Sequence, residues 1–110
     1  MEELVEENTE QEAALFAALA DPTRLRLLKL LIRQRSPDAL CVNALAYVLG
    51  ITQSAASQHL RVLKNVGLVK GKRTGYRVHY SVSPEAIRRY RYLILAMLPA
   101  DDPKDEEKPK

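Results

Sequence analysis

Only one of the 110 residues is a cysteine, Cys41, so no disulfide can close within the chain. No apolar run approaches the roughly 20 residues that cross a bilayer, so no membrane span is expected. The opening Met1-Glu2-Glu3-Leu4 is acidic where a secretory leader is basic, which points to the cytoplasm. A chain this short holds one domain with one modest core. Catalytic signatures are missing too: there is no Gly-x-Ser-x-Gly, no phosphate-binding glycine loop, no His-Cys pair and no ligand cluster. An enzyme is not expected.

Acids are scarce in the body of the chain. Residues 13–100 hold three, Asp21, Asp38 and Glu85, against fourteen lysines and arginines, a charge of +11. All three acids fall at predicted helix starts or turns, where capping accounts for them. The remaining acids crowd into the two ends. Six lie in residues 1–12 with no base, and five in residues 101–110 beside three lysines. Such a division predicts an acidic disordered arm over 1–8, a folded domain over 9–98 and a charged disordered tail over 99–110. A body so poor in acids suits an anionic polymer or membrane surface as partner.

What is present centres on T-Q-S-A-A-S-Q-H-L-R-V-L-K-N, residues 52–65. Wound as a helix at about 100° per residue, it puts Gln53, Ser54, Ser57, Gln58, Arg61, Lys64 and Asn65 on one side. Ala55, Ala56, His59, Leu60, Val62, Leu63 and Val66 take the other. Thr52 suits an N-cap and Gly67 suits a stop. Amides and hydroxyls in the first turns, with cations further along, are what a helix needs to read base edges and hold phosphate. Taken alone, the segment fits an ordinary amphipathic surface helix better.

The flanking sequence supplies the context. Thr9-Glu10-Gln11-Glu12 fits a capping box, with Thr9 as N-cap. It opens a helix, with Leu15, Phe16 and Leu19 among alanines, that is apolar on nearly every side and so needs cover beyond one small core. Asp21-Pro22 starts a second helix running to about Arg35. There Leu25, Leu27, Leu28, Leu30, Leu31 and Ile32 form a broad buried arc, and Arg24 inside that arc pairs locally or lays its stem over the core. Ser36-Pro37-Asp38 is a turn, Leu40-Cys41-Val42 a short edge strand, and Asn43 the cap of a helix ending at Gly50. Helix, glycine turn, helix is the helix-turn-helix layout.

After Gly67 the period becomes two. Leu68–Arg73 and Tyr76–Val82 read as strands joined at Thr74-Gly75. Tyr76, Val78, Tyr80 and Val82 share a face, and His79 is expected to be exposed on the other. Lys70, Lys72, Arg73 and Arg77 surround the tip, so the hairpin reads as a wing placed to meet phosphate or minor groove. Ser83-Pro84 opens a last helix with the stripe Ala86, Ile87, Tyr90, Leu93, Ile94, Met97 and Leu98, which Pro99 ends. Core packing could account for the stripe. Two terminal helices with surplus apolar surface predict a homodimer seam through Leu15, Phe16, Leu19, Ile87, Tyr90, Leu93, Ile94 and Met97.

Four runs carry a family likeness: A-L-A-D-P-T-R-L-R-L-L at 18–28, Q-S-A-A-S-Q-H-L-R-V-L at 53–63, G-L-V at 67–69 and G-Y-R-V-H-Y-S at 75–81. In this order, across residues 10–98, the chain resembles the ArsR-type (arsenical-resistance-repressor) winged-helix regulators. The resemblance implies a mostly α fold with a small β-hairpin wing, dimerising through its first and last helices. It implies a homodimeric transcriptional repressor of operator DNA, released by a metal ion or other inducer. Thr52, Gln53, Ser54, Ser57, Gln58, His59, Arg61 and Lys64 then face double-stranded DNA from the helix, and Lys70, Lys72, Arg73 and Arg77 from the wing.

Two departures concern the inducer. Metal-sensing members carry Cys-x-Cys near the third helix; here Cys41-Val42-Asn43 keeps one thiol. The last helix lacks the His and Asp ligands of other members. A structural zinc takes three or four ligands, so no metal site and no cofactor is expected, and the inducer is left as an unidentified small molecule. Cys41 reads as a small packed residue rather than a sensor thiol, and His59 as a core or phosphate-contacting side chain. The rival function is a winged helix that binds protein, or nucleic acid without sequence preference.

Overall fold

The computed structural model describes residues 8–34 and 40–99. The acidic arm (apart from Asn8), the Ser36-Pro37-Asp38 turn and the tail beyond Pro99 lie outside the described residues. Among the described residues five helices and one hairpin follow in order: α1 (Thr9–Leu19), α2 (Pro22–Arg33), α3 (Val42–Leu49), α4 (Gln53–Asn65), β1 (Val69–Thr74), β2 (Arg77–Val82) and α5 (Pro84–Met97). This is the mostly helical fold with a hairpin wing that the sequence predicts.

Helix α2 is the element the others pack on. It touches α1, α3, α4 and β2. Asp21 caps it, its carboxylate accepting from the Arg24 amide at 2.9 Å, and Pro22 sits in the first turn where no amide donor is missed. Leu27, Leu28 and Leu31 face inward. They join Leu15 of α1, Leu45 of α3, Leu60 and Leu63 of α4, and Leu68 and Val69 at the wing root in one core. Burying a leucine of this kind stabilises the fold by about 1.5–3 kcal/mol. The buried arc of α2 is narrower than predicted: Leu25 and Ile32 are exposed, at 37% and 52%. They flank the stripe on the side that no other element covers.

Several boundaries shift by a residue or two, each for a local reason. Helix α1 takes Asn8 rather than Thr9 at its N-cap position, with no side-chain cap bond from Asn8, so Thr9 lies in the first turn rather than at the cap. Helix α2 stops at Arg33 because Gln34 turns extended and its side-chain Nε2 donates to the Tyr80 carbonyl at 2.8 Å. Helix α3 starts at Val42, after an extended Cys41, which puts Asn43 inside the helix rather than at its cap. The expected edge strand is reduced to one antiparallel bridge, Cys41 to His79, with the Tyr80 amide bonded to the Leu40 carbonyl.

The hairpin pairs Val69 with Val82 through to Thr74 with Arg77. Gly75 and Tyr76 form its two-residue turn, with φ positive at Gly75 alone, the φ pattern of a type II′ turn. Tyr76 therefore leaves the strand face predicted for it and stands 86% exposed at the tip. His79, predicted to be exposed, is half-buried by the Leu40–Cys41 crossing, and its Nδ1 is enclosed without a hydrogen-bond partner. Ser83 caps α5 through the Ala86 amide, and the Tyr90 hydroxyl donates to the Val66 carbonyl, tying α5 to the end of α4.

Candidate nucleic-acid interface

Helix α4 is set by directional contacts at its start and apolar ones along its length. Gly50 ends α3 at φ 67°, and the Ile51 amide bonds back to the Ala46 carbonyl. The chain then reaches Thr52, whose hydroxyl accepts from the Ala55 amide at 3.0 Å. Ala56, Leu60 and Leu63 are buried almost completely, while Ala55, His59, Val62 and Val66 are half-buried. Thr52, Gln53, Ser54, Ser57, Gln58, Arg61, Lys64 and Asn65 are all exposed. The division into two faces is the one the sequence predicts, residue for residue, with His59 on the packed side.

Between α4 and the wing lies an open cleft of about 520 Å³ lined by Ser57, Leu60, Arg61, Lys64, Asn65 and Tyr80. Its lining joins the apolar Leu60 and the Tyr80 ring to two cations, a serine hydroxyl and an amide. Tyr80 belonged to the predicted strand face but not to the predicted site. Gly71, directly across the ladder, makes room for it: a Cβ there would meet Val78 Cγ1 at 2.9 Å and Tyr80 Cε1 at 3.1 Å. A glycine inside a strand is the signal that marks such a close approach.

All four wing cations are exposed, but the register divides them. Lys70 opposes Ser81, Lys72 opposes His79, and Arg77 opposes Thr74, which puts all three cations on one face. Arg73 opposes Val78 on the other face, the one that carries Tyr80 and so meets the cleft. The Arg77 guanidinium stands 5.8 Å from the Tyr76 ring centroid at the tip, within cation–π range. No acid occurs anywhere from residue 42 to 82, so helix α4 and the wing carry no acid of their own to offset these cations.

Arg24 and His59 meet behind α4. Arg24 Nε donates to the Ala18 carbonyl at 2.6 Å, Nη2 to the Ala17 carbonyl at 3.3 Å, and Nη1 lies 3.4 Å from His59 Nδ1. The local pairing expected of Arg24 is present. A guanidinium only donates, so the contact is a hydrogen bond in the tautomer that leaves Nδ1 free to accept. The Asp21 carboxyl is held below its ordinary value of 3.8, chiefly by the Arg24 amide and further by the Arg24 and His59 charges.

The predicted seam residues separate into three groups. Leu15 and Leu93 are buried within the protomer itself, at 1% and 7%, so they belong to its core and not to an exposed face. Leu19, Ile87, Tyr90 and Ile94 are half-buried against that core. Phe16 and Met97 stand out at 41% and 40%, joined by Tyr92, Leu95 and Leu98, which are more exposed still. An apolar periodicity alone does not say which edge of a stripe stays outside.

Among the described residues no group of three or more His, Cys, Asp or Glu could hold a metal ion. The bridge brings Cys41 beside His79, and those two donors fall short of the three or four that a structural zinc requires. No helix among the described residues is long and apolar enough to cross a membrane.

Comparison with known proteins agrees with this geometry. Residues 21–70 match the model of the bacterial regulatory protein, arsR family. The chain is 44% identical over 77 residues to a transcriptional repressor SmtB homolog of Synechocystis sp., covering 70% of this chain and 55% of that protein. It is 34% identical over 103 residues to the nodulation protein NolR of Rhizobium meliloti, covering 94% and 81% respectively. The homodimeric winged helix-turn-helix DNA-binding domain of a possible ArsR-family transcriptional regulator from Mycobacterium bovis superposes with a TM-score of 0.65 at 32% identity, over 81% of this chain and 79% of that one. By motif, fold and relatives alike, the chain belongs to the ArsR family of winged helix-turn-helix transcriptional regulators.

Proposed function

We propose that this chain is a homodimeric, sequence-specific DNA-binding regulator in the cytoplasm that represses by occupying an operator and leaves it when an inducer binds. The observation that carries the reading is the outer face of α4. Two glutamines, two serines, an arginine and a lysine stand exposed on one helix face, beside a basic wing and with no acid between residues 42 and 82. Glutamine can bond adenine in a bidentate way and arginine guanine, which is direct readout in the major groove. Wing cations meet phosphate, which fixes register without carrying sequence.

Two copies give the reading its symmetry. The exposed Phe16, Tyr92, Leu95, Met97 and Leu98 on α1, on α5 and just beyond it form the seam. A two-fold dimer places its two reading helices about 34 Å apart, one DNA turn, so the operator is an imperfect palindrome. Asp21 caps α2 and Glu85 lies in the first turn of α5, so both acids have structural places at helix starts.

Selection of bound sequences from a random duplex pool tests the reading. A palindromic consensus with half-sites one turn apart is expected, and metals and small molecules are then screened for release of the formed complex. Recovery of unenriched sequence would instead favour a winged helix that binds nucleic acid without preference, or one that binds protein.

A further inference from the structure

Apolar contacts hold most of the packed side of α4. Ala56, Leu60 and Leu63 are buried, but such contacts are non-directional and tolerate small slides and rotations. The Arg24–His59 contact is directional. His59 stands next to Gln58 and on the same turn of α4 as Ala55 and Ala56. Its partner is itself held from three sides. The Arg24 backbone amide is bound by Asp21, and its guanidinium by the carbonyls of Ala17 and Ala18. Those carbonyls end α1, whose last turn has no base of its own. Arg24 supplies the cation that the negative end of a helix dipole favours, and it does so from the neighbouring helix.

We propose that Arg24 is a positioning residue for operator reading: through His59 it fastens the reading helix to the carboxyl end of α1 and so sets how deeply Gln53, Ser54, Ser57 and Gln58 reach. His59 then acts from behind the helix and does not touch DNA. The inference rests on the DNA-reading function proposed above. Because α1 also carries Phe16 of the seam, one guanidinium spans the helix that pairs protomers and the helix that reads.

The full-length dimer is tested by fluorescence anisotropy on its selected operator and on a scrambled duplex, across a salt series. His59→Ala leaves the bonds from Arg24 to Ala17 and Ala18 intact. It is expected to lower the operator-to-scrambled ratio about tenfold, the scale of one lost base contact, with binding to scrambled DNA and the salt slope unchanged. His59→Gln, which restores an acceptor, is expected to recover most of the ratio. Arg24→Ala lowers the ratio alike, and combining it with His59→Ala adds little, since each removes one end of the same contact. Should Arg24→Ala not fold, the two His59 variants decide alone. The proposal is overturned if His59→Ala weakens both duplexes equally with a shallower salt slope, which makes His59 a phosphate contact. It is also overturned if His59→Gln matches the alanine variant, or if the two single losses add in full. A wild-type protein with no preference for any duplex overturns the functional reading itself, a result distinct from all of these.

Discussion

At Asp21 one carboxylate does two jobs. It caps α2 and it lies near the Arg24 and His59 charges, and both depress its pKa. A depressed carboxyl stabilises the fold fully at neutral pH and loses that contribution as pH falls through its ordinary value of 3.8 and below. Asp21→Asn keeps an oxygen for the cap but no titrating charge. Acid unfolding followed by circular dichroism is therefore expected to be less steep in the variant below about pH 4. An unchanged profile would remove Asp21 from the account of acid stability. Gly71 offers a second test at this scale. Adding one methyl drives into Val78 and Tyr80, and overpacking of this sort costs about 1–3 kcal/mol. Gly71→Ala should lower the melting temperature and, by moving Tyr80 out of the cleft wall, weaken operator binding. A wild-type melt would show that the hairpin yields without cost. Some residues were legible before any coordinates, Asp21 and Thr52 among them, because caps depend on neighbours three positions away. His79 was not, since its burial comes from Leu40 and Cys41, almost forty residues distant in the chain.

At the level of elements, α4 was the most legible part. Its period, its cap and its polar face are local properties, and all survive in the structure. The sequence places the hairpin turn one residue early, because Gly75 takes the first turn position and not the second, and the strand propensity of Tyr76 favours β2. The correct register changes what the wing is expected to do. Arg73 shares the hairpin face of Tyr80, which lines the cleft beside α4, whereas Lys70, Lys72 and Arg77 occupy the opposite face. If one strand of the operator backbone runs along the cleft, Arg73→Ala should flatten the dependence of log K on log salt by roughly 0.9 per contact, or about two per dimer. Lys70→Ala should flatten it less. Anisotropy on operator DNA across a salt series separates the two, and equal slopes for both variants would place the backbone over the whole wing instead.

For the molecule as a whole, the sequence showed that α1 and α5 carry surplus apolar surface but not which part of it stays outside. Leu15 and Leu93 fill the protomer core, while Phe16, Tyr92, Leu95, Met97 and Leu98 remain uncovered. A helix apolar on most of its circumference gives no phase by which to divide core from seam. Leu95, 55% exposed, is therefore the better probe of the dimer. Leu95→Glu leaves the protomer core intact and puts an unpaired charge into each half of the seam, at a cost of about 3 kcal/mol or more. Sedimentation at micromolar concentration should show a dimer for the parent and a monomer for the variant, with helix content retained. A variant that stays dimeric would move the seam elsewhere. The central claim, that the outer face of α4 reads sequence, is tested most directly by Gln58→Ala on operator and scrambled duplex. The account predicts a loss of about 1–3 kcal/mol on the operator and almost none on scrambled DNA. Equal losses on both duplexes, or no loss on either, would contradict it.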